Sequence, residues 1–114
     1  MSQKQKNKPI YTVTVIRDIC IGIINYDFVN FFFNTTKAEK FLAANKELLI
    51  YNNYQYAVIE EVFEGKLSEA KVIQWYRFKQ NYTLKIERSS ISLKKIKTPE
   101  QFKESYAFCG QRMI

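Results

Sequence analysis

Residues Lys71 to Lys97 read KVIQWYRFKQNYTLKIERSSISLKKIK. Two polar breaks, Gln80-Asn81 and Ser89-Ser90, interrupt runs rich in β-branched and aromatic residues, the composition that suits a pleated, half-buried surface. Read as two-residue hairpin turns, the breaks predict a meander of three strands, Val72 to Lys79, Tyr82 to Arg88 and Ile91 to Ile96. The register that follows sets Trp75 opposite Ile86, Tyr76 opposite Lys85 and Lys85 opposite Lys94. One face is then Trp75, Leu84, Ile86 and Leu93, taken as core, with Arg77 and Lys95 at its margin. The other presents Tyr76, Phe78, Thr83, Lys85, Lys94 and Ile96.

The same stretch holds the whole formal charge of the chain. Eight basic residues (Lys71, Arg77, Lys79, Lys85, Arg88, Lys94, Lys95 and Lys97) stand against Glu87 alone, which equals the net +7, while the residues on either side balance. Charge concentrated on one part of a surface steers anionic partners. Two lysines facing each other across a ladder repel, and a sheet that keeps such a pair has a use for an anion. Lysines near a sheet edge also block edge-to-edge aggregation, so both explanations stand at this point. The expected partner-binding residues are Tyr76, Phe78, Lys79, Lys85, Lys94 and Lys97.

Upstream, Ile10 to Ile16 alternates Tyr11, Val13 and Val15 with Thr12 and Thr14, the period of a half-buried strand. Phe28 to Phe33 forms a second strand, reached through Gly22 and the turn-prone Asn25-Tyr26-Asp27, so the two make a hairpin with a long connection. The period then changes. Ala38, Phe41, Leu42, Asn45, Leu48 and Leu49 recur at helical spacing. Thr36 with Glu39 three residues on reads as a capping box, Phe41, Leu42, Leu48 and Leu49 as the buried face, and Asn52-Asn53 as the end. In Tyr54 to Glu64 the Tyr56-Ala57-Val58-Ile59 run is apolar on both faces, which marks a central strand, and Glu60, Glu61 and Glu64 are expected to emerge into solvent. Gly65 and Lys66 turn the chain.

A short last helix begins at Thr98-Pro99, buries Phe102 and Tyr106 and stops at Gly110. The order is ββαββββα. It predicts an α+β domain with an antiparallel sheet of five to six strands, one main helix on one face and a short C-terminal helix. Residues 1–8, with Lys4, Lys6 and Lys8, read as a mobile basic arm preceding a single domain over residues 9–114.

Function classes fall away on composition. With no histidine the chain lacks the commonest general base and metal ligand, and three glycines at 22, 65 and 110 build no phosphate-binding loop. Glu60 and Glu64 lie about 13 Å apart along a strand, too far to share a metal or a scissile bond. Cys20 and Cys109, in a chain without an export signal or a membrane-spanning run, read as reduced thiols of a cytoplasmic protein, and the sequons at Asn34 and Asn81 as unused. The chain is read as a non-enzyme without cofactor or metal.

The segment Tyr56-Ala57-Val58-Ile59-Glu60-Glu61-Val62-Phe63-Glu64-Gly65, with the helix start Thr35-Thr36-Lys37-Ala38 and the later Trp75-Tyr76 pair, resembles small uncharacterised accessory proteins of phages and prophage regions. The likeness covers roughly Gly22 to Phe78. It implies a protein of the host-cell cytoplasm that binds a host or viral macromolecule, and it carries over no catalytic residue. The functional expectation is therefore a non-catalytic module with a protein partner, the alternative being RNA or single-stranded DNA held by aromatic stacking and lysine–phosphate contacts. The sequence leaves the oligomeric state open.

Overall fold

The computed structural model describes residues 8–20, 23–63, 70–83 and 88–102. Within them the chain runs β1 (Pro9–Cys20), β2 (Ile23–Phe32), α1 (Thr35–Tyr51), β3 (Tyr56–Phe63), β4 (Ala70–Thr83) and β5 (Arg88–Ile96). The five strands form one sheet in the order β2-β1-β3-β4-β5, and every neighbouring pair is antiparallel. The α+β class holds, with the helix crossing from edge strand β2 to β3 over β1.

Asn34, not Thr36, caps α1: its backbone is extended and its Oδ1 accepts the Lys37 amide at 2.8 Å. One of the two sequon asparagines thus has a structural role, satisfying an amide that the first helical turn cannot pair internally. At the other end Asn53 adopts φ 68°, a left-handed conformation that asparagine tolerates, and the chain turns toward β3. Ala38, Leu42 and Leu49 are buried, whereas Leu48, expected in the core, is 60% exposed. Ala38, Leu42 and Leu49 fall at i, i+4 and i+11, a narrow stripe that leaves Leu48 about 100° away from Leu49 around the axis.

Helix α1 covers one face of the sheet. Val13 and Val15 of β1, Ala57 and Ile59 of β3, and Tyr76 and Phe78 of β4 form the core beneath Ala38, Leu42 and Leu49, with Phe32 and Leu93 at its border. On the opposite face Ile16, Val58 and Trp75 are buried with Phe102. The Trp75 and Phe102 rings stack at 5.1 Å and 6°, and Tyr56 meets both edge-on. Both faces of the middle strands are therefore covered, as the unbroken apolar run of β3 requires.

Three further expectations are corrected. The meander has two strands, not three: Gln80-Asn81 and Ser89-Ser90 lie inside β4 and β5, where Gln80 pairs with Ile91 and Asn81 with Ser90. Neither break contains a glycine or supplies the positive φ that a two-residue hairpin turn needs, so the chain runs straight through both. The sheet accordingly has five strands, and the connection falls at residues 84–87, outside the described residues. Second, Asn25-Tyr26-Asp27 is not a turn but strand, paired with Arg17, Ile16 and Val15. Third, Glu60 is 1% exposed instead of solvated. β3 is the third of five strands, and Glu60 sits opposite Thr12 on the face away from α1, beside a register shift in β4.

The last helix lies mostly outside the described residues; what is described is a turn closed by the Phe102 amide on the Pro99 carbonyl at 3.0 Å, with Phe102 buried. Residues 1–7, Lys85, Tyr106 and Cys109 also lie outside them. No helix among the described residues is long and apolar enough to cross a membrane.

Candidate functional site

Because β4 continues to Thr83, its partner across the ladder is β5 directly. Trp75 faces Ile96, Tyr76 faces Lys95, Arg77 faces Lys94, Phe78 faces Leu93 and Lys79 faces Ser92. Alternation then sorts the charges. Trp75 is turned away from the helix, so Arg77 and Lys79, two and four residues on, share that face, and Lys94 joins them from β5. All three cations are exposed. Together with Phe78 and Gln80 they line an open recess of about 390 Å³.

Like charges stand directly opposite one another here, Arg77 against Lys94, in place of the expected Lys85 against Lys94. Such a pair costs the sheet a few tenths of a kcal/mol or more. No carboxylate is among the described residues that line the recess. Arg77 is held in part by an aromatic ring: its guanidinium lies 5.8 Å from the centre of the half-buried Tyr56, within the range of cation–π attraction. At the near end of the ladder Gln74 Nε2 donates to the carbonyls of Trp75, at 2.9 Å, and of Ile96, at 3.0 Å, and so ties β4 to the last residue of β5.

The expected site residues are divided by this register. Lys79 and Lys94 come together in the recess. Tyr76 and Phe78 do lie on the face opposite Trp75, but α1 buries them there; Leu93, expected on the Trp75 face, joins them, and Lys94 and Ile96, expected beside Tyr76, lie on the Trp75 face instead. Lys97 is exposed but lies beyond β5, beside a shallower recess that includes Trp75 and Ile96. Lys85 is outside the described residues.

Tyr76 has a structural partner instead. Its hydroxyl donates to Glu39 Oε2 of α1 at 3.2 Å. Burial, the Glu39 charge and this bond push the phenol far above the ordinary tyrosine range, since ionisation would place a second anion in an apolar interface. Tyr11 donates to Glu61 Oε2 at 3.0 Å and Tyr54 to Asp27. The Tyr11 phenol is raised by its bond to Glu61, and the Tyr54 phenol first by burial and then by its bond to Asp27. Arg17 lies over the Tyr54 ring at 4.2 Å and donates through Nε to the Asn52 carbonyl at 2.8 Å, fastening the end of α1 to β1.

Sequence reasoning missed Arg77 as a site residue by assigning it to the margin of the core face. Its two-residue spacing from Trp75 was the available signal, since one face of a strand that buries a tryptophan in mid-sheet can still carry cations where it nears the end. No group of three or more His, Cys, Asp or Glu side chains able to hold a metal occurs among the described residues. Comparison of the chain with protein-family models, curated proteins and solved structures returned no match.

Proposed function

We propose that this protein is a small, non-catalytic, phage-type accessory module of the cytoplasm that binds a macromolecule with an anionic surface through Arg77, Lys79 and Lys94. The observation that carries the reading is the recess in which these three exposed cations meet with no acidic residue among its described lining, Arg77 directly across from Lys94. A solubilising edge needs lysines, but gains nothing from opposing two cations on one face. A protein partner is favoured over nucleic acid because Trp75, Tyr76 and Phe78, three of the four aromatic residues of the basic stretch, are buried. Single-stranded nucleic acid is held largely by exposed stacking platforms, and those rings supply none.

RNA or single-stranded DNA stays as the second reading on one observation, the Tyr56 ring beside Arg77. The phage context rests on the short motifs around Tyr56 to Gly65 and Trp75-Tyr76.

The deciding experiment is affinity capture from host lysate with the wild-type chain and with the triple variant Arg77→Gln, Lys79→Gln, Lys94→Gln, each with and without nuclease. The reading expects a protein retained by wild type, insensitive to nuclease and lost by the variant. A partner lost on nuclease treatment favours the nucleic-acid reading. Equal retention by the variant moves the functional surface elsewhere.

A further inference from the structure

β5 is the last strand of the sheet, and its outer side is still equipped to bond. The Phe78 amide of β4 donates to the Gln55 carbonyl at 2.9 Å, on the β3 side. Backbone groups alternate in direction along an antiparallel ladder, so Arg77 and Lys79 turn theirs toward β5 and pair there with Lys94 and Ser92. The Ile96 carbonyl, which accepts Gln74 Nε2 of β4 at 3.0 Å, has the same parity. The amides and carbonyls of Ile91, Leu93 and Lys95 therefore point away from β4, and no strand lies beyond them among the described residues. The ladder between β4 and β5 runs without a register shift from Ile96 to Arg88, and β5 holds no proline, so neither a bulge nor a missing amide blocks this edge. Its remaining guard is positive charge, which repels another copy of this chain and attracts an acidic strand.

We infer that the partner is a protein that offers an extended acidic segment, and that this segment adds to β5 as a sixth, antiparallel strand. The inference rests on the anionic-partner reading of Arg77, Lys79 and Lys94, and adds how the partner is held. Charge complementarity selects the occupant. On the face away from α1, exposed Ser92 and Lys94 lie at the edge, backed by Lys79 and Arg77. A glutamate directly opposite Lys94 places its Cβ about 5 Å from that of the lysine. One opposite Ser92 passes over that short side chain toward Lys79, two strand spacings or about 10 Å away, within the combined reach of two extended side chains. On the helix face the edge offers buried Ile91 and half-buried Leu93, which borders the core, so the intervening residues of the added strand are apolar. The segment thus alternates acidic and apolar residues. The other edge, β2, carries no cation, and its ladder with β1 is broken by register shifts, so an acidic strand is directed to β5.

The probe is an end-capped octapeptide alternating glutamate and valine, titrated by fluorescence anisotropy against the full chain. In the antiparallel register its glutamates share the Lys94 face and turn their own amides away from β5, while the valine amides face it. N-methylation of the valines should therefore raise the dissociation constant by about tenfold or more, whereas N-methylation of the glutamates should leave it largely unchanged. Lys95→Pro removes an outward amide that makes no bond within the sheet, so circular dichroism should show it folded. It should nevertheless weaken the peptide beyond Lys95→Gln, the control for its charge. Lysine in place of glutamate in the peptide should abolish binding. Failure of the unmodified peptide to bind overturns the inference, and a single-stranded oligouridine that binds in its place returns the surface to nucleic acid. Equal affinity of the two methylated peptides also overturns strand addition. The anionic-partner reading then stands only if Arg77→Gln with Lys94→Gln weakens the unmodified peptide.

Discussion

Tyr76→Phe isolates one bond between α1 and the sheet. The ring is buried and its hydroxyl donates to the Glu39 carboxylate at 3.2 Å. At pH 8 the variant should lose about 1 to 2 kcal/mol, between the values typical of neutral and charge-assisted bonds, because Glu39 is only half-buried. The pH dependence is the sharper test. The unfolded phenol ionises near its ordinary value of ~10, and the folded one is held well above it by burial and by Glu39. The folded state requires the protonated form, so the contribution of Tyr76 is complete below pH ~10. It then declines as pH rises through the window above that, by about 1.4 kcal/mol at one unit past the unfolded value. Phenylalanine has no proton to lose. Urea unfolding of both proteins at pH 8 and pH 11 should therefore show the stability difference shrinking by about 1.4 kcal/mol. Other tyrosines and lysines titrate in both chains and cancel in the comparison. A difference that does not change with pH would refute the reasoning.

The remaining predictions probe the helix and its cap. Leu42→Ala removes a side chain with no solvent exposure from the helix–sheet core and should cost about 2 to 5 kcal/mol in denaturant unfolding. Leu48→Ala, at an exposed position, should stay within about 0.5 kcal/mol, and a large loss there would reverse the assigned helix face. Asn34→Ala leaves the Lys37 amide without its acceptor and should destabilise by about 1 kcal/mol, whereas Thr36→Ala should cost measurably less in the same assay.

Fold class and core were legible where the period of the sequence agreed with local chemistry. The alternation around Val13 and Val15, the apolar run Ala57-Val58-Ile59 and the helical spacing of Ala38 and Leu42 each have one reading, and the sheet buries all of them. The candidate site was legible as a region but not as a surface. Its definition depends on strand parity, and parity depends on where the chain turns. Polar dipeptides without glycine do not fix that position, because Tyr82 and Thr83 are as content in a strand as after a turn. Placing the connection at residues 84–87 slides β5 along β4, exchanges Lys85 for Arg77 as the neighbour of Lys94 and brings Lys94 to the Trp75 face, whereas Tyr76 and Phe78 keep their expected face and are buried because α1 covers it. Glu60 was illegible for a different reason: its burial depends on the neighbours β1 and β4, which lie 48 and 12 residues away in sequence at Thr12 and Val72.

The most direct measurement of the central claim is the affinity of the captured partner for wild type and for the Arg77→Gln, Lys94→Gln double variant, taken across a salt series. Folding should be almost unaffected, since removing two opposed cations relieves repulsion while the Arg77–Tyr56 contact is lost. Binding at low salt should fall, and the two proteins should converge at high salt, where screening has already weakened the wild-type contacts. For a nucleic-acid partner the slope of log affinity against log salt should drop by about two at most. Equal affinity and equal salt dependence in the two proteins would contradict a binding role for the Arg77–Lys94 surface.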